Sequence, residues 1–114
     1  SDVCSSDLGI MGLYGIYGSH TTESCPLNNK ETRKMVIEGG PQIKQIAESA
    51  NVKIIGQYHS GLEHTFLWVV EATDAHTVES LMFQAGVHKF NAVTIVPLNT
   101  FDGVIEKCKQ IENS

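Results

Sequence analysis

VKIIGQYHSGLEHTFLWVVE, residues 52–71, carries two strand-like runs on either side of a short turn. Residues 52–59 mix β-branched, aromatic and polar side chains and read as a strand. Ser60-Gly61-Leu62-Glu63 is the turn, in which Gly61 tolerates a positive φ. Residues 64–71 are the strongest strand in the chain, with Phe66, Leu67, Trp68, Val69 and Val70 in succession. Being apolar on both faces, this strand is expected at the centre of a sheet. The hairpin also concerns two imidazoles. A four-residue turn makes His59 and His64 direct cross-strand partners, with Cβ atoms ~5 Å apart.

Upstream, residues 10–17 form an apolar run broken by Gly12 and Gly15, a buried strand whose glycines suggest a bend or the close approach of another backbone. A polar loop with Cys25-Pro26 follows. Asn28 or Asn29 can cap a helix running to about Glu38, with Met35 and Val36 inward. Gly39-Gly40 ends it, and Pro41 suits the first turn of a second helical piece carrying Ile43, Ile46, Ala47 and Ala50. Downstream, Asp74 caps a helix with Val78, Leu81, Met82 and Ala85 at helical spacing, and Gly86 stands at its C′ position. Residues 91–98 are a strand in which Pro97 argues for an edge position or the strand end. Thr100 or Asp102 opens a last helix with Val104, Ile105, Cys108 and Ile111 on one side.

The order is βαββαβ plus a terminal helix, the ferredoxin-like split βαβ arrangement of the α+β class. Right-handed crossovers place the first and third strands in the centre of a four-stranded antiparallel sheet. Helices cover one face. Trp68 and Phe66, or their neighbours Leu67 and Val69, must be hidden on the other. Pairing two such faces in a symmetric homodimer, as a dimeric α+β barrel, is the expected remedy.

Strand direction then places the histidines. The first strand ends at His20, the second runs parallel to it and ends at His59, and the third begins at His64. All three imidazoles therefore reach one end of the sheet and are the candidate metal ligands, His59 and His64 being also the candidate catalytic bases. Glu63 in the turn, and Glu23 and Cys25 in the loop after His20, are candidate further ligands. His88, at the same end, is another candidate further ligand, although it is three strand spacings of ~4.8 Å from the His59 strand, so that all four imidazoles do not easily form one shell. Two or three imidazoles with a carboxylate suit Zn, Fe, Ni or Cu. A missing protein ligand would leave a position for water or substrate. The bland alternative is a wet rim lined by Gln57, His59 and His64. Cys108 sits on the apolar stripe of the last helix and reads as core, whereas Cys25 has a structural or accessory role.

Residues 1–8, SDVCSSDL, match in all eight positions one reading frame of a common sequencing adapter. They read as a non-native tail, with residues 10–114 as a single domain and the native start at Met11 or upstream. Without Asp2 and Asp7 the formal charge of -5 becomes -3, and without Cys4 two of the three cysteines remain. Mild acidity gives no electrostatic footprint for nucleic acid, and no basic run points to a membrane surface. Two unpatterned cysteines make no disulfide framework, so a reducing, cytoplasmic setting is expected. No apolar run approaches the ~18 residues of a membrane span, and no basic-then-apolar leader is visible.

The layout resembles the dimeric α+β barrel superfamily, whose ferredoxin-like subunits pair sheet to sheet around a cavity. Residues 66–97, FLWVVEATDAHTVESLMFQAGVHKFNAVTIVP, are similar to small proteins that include a nickel-binding group. Shared features are a strand ending in Glu71-Ala72, a helix closing with Ala85-Gly86, and His88 before the last strand. YGSHTTESCPLNN together with GQYHSGLEHTFLW resembles the signature of an archaeal and bacterial family with no activity attached. The resemblance implies the fold and a dimer; the nickel group's ligands do not map one by one onto His20, His59 and His64.

Three functions follow as expectations: a dimeric metal-binding protein, with or without catalysis; a metal-free barrel-type enzyme or small-molecule binder with His59 or His64 as general base; or a plain dimerisation or regulatory module.

Overall fold

The structure, a computed structural model, describes residues 11–114. The adapter-like segment lies outside the described residues. Strands β1 (Gly12–Ser19), β2 (Lys53–Ser60), β3 (Thr65–Ala72) and β4 (Ala92–Leu98) form one sheet in the order β2-β3-β1-β4. Every neighbouring pair is antiparallel. Helices α1 (Lys30–Gly39), α2 (Ile43–Ser49), α3 (Ala75–Gln84) and α4 (Phe101–Glu112) connect and follow the strands. The chain is thus α+β with an open antiparallel sheet, compatible with the ferredoxin-like arrangement.

Local chemistry accounts for the element ends. The side chains of Asn29, Asp74 and Thr100 accept from the backbone N–H of Thr32, Thr77 and Gly103 at 3.0, 2.8 and 3.0 Å. Each cap satisfies a donor that the first helical turn leaves open. Gly86 takes φ 75° directly after α3, a left-handed conformation that costs a glycine little. Pro97 sits in β4, which is an edge strand and can spare a backbone donor.

Strand register sorts the side chains onto two faces. Ile16 lies opposite Trp68 and Ile95, and Trp68 opposite Gln57; Gly18 lies opposite Phe66 and Val93, and Phe66 opposite His59. This is the helix-covered face. Ile16, Phe66, Trp68 and Val70 pack there with Ala47, Val78, Leu81 and Met82 to form the core. Full burial of such a side chain is worth about 1.5–3 kcal/mol, which makes this layer the main source of stability. Phe66 and Trp68 are therefore core residues, and the neighbours Leu67 and Val69 occupy the open face with Leu13, Tyr17, Val96 and Leu98. The tyrosines divide in the same way, Tyr14 falling on the helix side and Tyr17 and Tyr58 on the open side.

Three sequence expectations are corrected. The hairpin closes at Ser60 opposite Thr65, one residue further in than assumed, so His59 pairs with Phe66 and not with His64. His64 falls in the loop, and it is His64 (φ 58°), not Gly61, that adopts the left-handed conformation. Cys108 is exposed, because no residue of α4 is buried. Two further details emerge. The β2 register shifts between Ile54 and Gly56, so that Ile54 and Gln57, three apart in sequence, face the same side. Helix α1 buries only Thr32, and Met35 and Val36 remain 37% and 45% exposed at the margin of a cavity. Among the described residues, no helix is long and apolar enough to cross a membrane.

Candidate metal centre

His20 follows β1 without a break. Its backbone N–H donates to the carbonyl of His64 at 3.0 Å, which extends the β1–β3 ladder one step past the hairpin end. The backbone N–H of His64 in turn donates to the Ser60 carbonyl at 3.0 Å. These two bonds hold His64 in a left-handed conformation that costs a non-glycine residue of order 1–3 kcal/mol, a strain often found at functional positions. Its side chain then lies beside that of His20, with ring centroids 5.9 Å apart.

Cys25 arrives from the loop ahead of α1. Its carbonyl accepts from the backbone N–H groups of both Asn28 and Asn29 at 2.8 Å. The Thr32 hydroxyl donates to the Ser24 carbonyl at 2.8 Å, and Arg33 Nε donates to the Pro26 carbonyl at 3.0 Å. Helix α1 thereby clamps the loop, and Cys25 is fully buried.

The result is a group of three donors, His20, Cys25 and His64, whose ligand atoms lie within 4.8 Å of one another. Ligands held 2.0–2.3 Å from a shared ion stand up to about 4 Å apart, so closure onto an ion asks for side-chain shifts of under about an ångström. His64 Nδ1 is buried and has no hydrogen-bond partner. An unpaired polar atom in that setting costs about 1–3 kcal/mol, a penalty that coordination would remove.

His20 is pre-set for ligation by a residue the sequence did not single out. Its Nδ1 lies 2.7 Å from Asn91 Oδ1, and Asn91 Nδ2 donates to the Val87 carbonyl at 3.0 Å. The second bond fixes which end of the amide faces the imidazole. Asn91 therefore presents an acceptor, Nδ1 of His20 carries the proton, and Nε2 keeps its lone pair. This is the outer-shell arrangement that orients metal-bound histidines. Only the residue type, an amide at the start of a strand, could have hinted at it.

His59 stands just outside the three-donor group. Its Nε2 is 3.5 Å from Nε2 of His20, and the two rings are stacked, 5° from parallel with centroids 5.3 Å apart. Partial burial disfavours its charged form, and the neighbouring His20 and His64 repel a further positive charge, so His59 titrates below the ordinary histidine value. Neutral imidazole, the form that binds metals and accepts protons, is thus its state at neutral pH. The sheet's end brings the three histidines together as the topology implied, though by a different pairing. Glu63 is exposed in the turn, with its backbone N–H on Ser60 Oγ, and is not among the grouped donors. His88 packs its ring edgewise on Phe83, 4.6 Å between centroids, also outside the group.

A cavity of about 430 Å³ adjoins the centre on the helix-covered side. His20, His59 and Asn91 form part of its lining, together with Phe66, Trp68 and the apolar residues of α1. Chemically, the arrangement can hold a borderline-soft cation, leave it one or more open positions, and place a neutral imidazole beside them. No family model matches the chain, and no curated protein matches it significantly.

Proposed function

We propose that this chain is a transition-metal-binding protein in which His20, Cys25 and His64 ligate the ion and His59 stands next to the remaining coordination position. The observation that carries this reading is the buried, unpartnered His64 Nδ1 in a three-donor group with a fully buried thiol. Two imidazoles and one thiolate favour zinc or copper over nickel and iron, and disfavour magnesium and calcium, which prefer oxygen donors. Three protein ligands with an open position is the pattern of catalytic zinc sites.

Protein purified without a polyhistidine tag tests this directly. About one zinc or copper ion per chain is expected by elemental analysis, with His20→Ala and Cys25→Ser abolishing tight uptake. Cobalt loading should give a thiolate-to-metal absorption band that Cys25→Ser removes. The absence of stoichiometric zinc, copper, nickel or iron in a folded protein would end the proposal.

A metal-free reading rests on the same cavity: neutral His59 would serve as general base over an apolar ligand. Retained ligand turnover after exhaustive chelation would select it. For assembly, we infer a homodimer of the dimeric α+β barrel kind. Its support is a sheet face bearing Leu13, Tyr17, Leu67, Val69 and Leu98 with no helix over it among the described residues, together with the exposed apolar stripe of α4.

A further inference from the structure

The cavity beside the histidines has three walls. The sheet supplies Phe66 and Trp68, α1 and the Gly39–Ile43 connection supply a second side, and residues 85–91 supply the third. Among the described residues, no lysine, arginine, aspartate or glutamate lines it. Its polar groups are contiguous: His20 bonds Asn91, His59 lies 3.5 Å from His20, and Gln57 precedes His59 by two residues on the same side of β2.

The size suits a small molecule. At about 430 Å³ the volume sits at the lower end of the ~300–1,000 Å³ found for small-molecule sites. Charge decides between classes of small molecule. In the ion-free cavity a carboxylate or phosphate would enter with no lysine or arginine of the described lining to pair with.

We propose that this cavity binds an uncharged, mostly apolar small molecule carrying one hydroxyl or carbonyl oxygen, with that oxygen at the His20–His59 edge and the hydrocarbon against Trp68 and Phe66. The assignment deepens the metal reading, since a bound ion would take the oxygen as a ligand. It also stands without the ion, because the imidazoles themselves can hydrogen-bond a hydroxyl.

Trp68, the only tryptophan of the chain, is a built-in reporter. The probe is 4-tert-butylcyclohexanol, which neither absorbs nor emits with indole; the comparison compound is 4-tert-butylcyclohexanecarboxylate. Saturable change in Trp68 emission by the alcohol is expected in metal-free and zinc-loaded protein. In metal-free protein the carboxylate should bind at least about tenfold more weakly, given the cost of an unpaired buried charge. Val36→Phe, at a half-exposed position on the cavity margin, should lower alcohol affinity by about tenfold or more through lost volume. It should leave zinc uptake and the circular-dichroism spectrum unchanged. Equal binding of the carboxylate by metal-free protein, no saturable response in either protein form, or unchanged affinity in Val36→Phe would each overturn the assignment. Zinc uptake without alcohol binding removes this inference alone, and alcohol binding in a protein that takes no ion removes only the metal reading.

Discussion

Asn91 shows how much a single side chain can settle. By accepting from His20 Nδ1 and donating to the Val87 carbonyl, it fixes both the tautomer and the tilt of one imidazole. Loss of such an outer-shell partner generally lowers metal affinity about 10–100-fold. Asn91→Ala is expected to weaken zinc binding by that factor in a chelator competition. Asn91→Asp, which keeps an acceptor at the same place, should retain it. A purely packing role for Asn91 would make the two variants alike. The ligand types were legible in the sequence because His and Cys announce their chemistry. Their grouping was only partly so. Three histidines were assigned to one rim from strand direction, and that rim is where they lie. The priority of Cys25 over His59 was not legible, because it depends on how a loop is clamped by Thr32 and Arg33.

Among elements, β1 is the one whose composition looks least like a strand and whose glycines carry the clearest geometric meaning. A Cβ on Gly18 would come 2.0 Å from the Phe66 ring, which lies across that position. The same ring packs against Trp68, with centroids 5.4 Å apart. Gly18→Ala should therefore displace Phe66 and cost about 1–3 kcal/mol, the usual range for overpacking. Gly39→Ala, at a helical position with open space around it, should be neutral or slightly stabilising. Urea titrations of both variants check the contrast. The sequence reading anticipated a bend or close backbone approach at Gly12 and Gly15 and placed Gly18 in the loop beyond the strand, whereas β1 runs on to Ser19. The hairpin register escaped it by one residue: whether Ser60–Thr65 or His59–His64 closes the loop depends on turn geometry, which this run of residues leaves open.

At the scale of the whole molecule, two apolar surfaces stand uncovered among the described residues. One is the open sheet face; the other is the stripe of Phe101, Val104, Ile105, Cys108 and Ile111 on α4. The first was expected from the strand pattern. The exposure of α4 was not, since amphipathic periodicity tells that a stripe wants covering without telling what covers it. A second copy supplying both covers should give a dimer by sedimentation velocity. Ile105→Glu, or Leu67→Glu on the open face, is expected to shift the chain to monomer with its circular-dichroism spectrum retained. A monomeric parent protein would refute the dimer.

The three donors come from the end of one strand, from the loop that follows, and from a turn some forty residues later. Nothing local brings them together. In a small zinc finger, by contrast, the ion organises its own chain. Here the central β1–β3 pairing must already exist before an ion can find all its partners. Capture would therefore come late in the order of assembly, and its hallmark would be a slower departure from the folded state rather than a faster arrival at it.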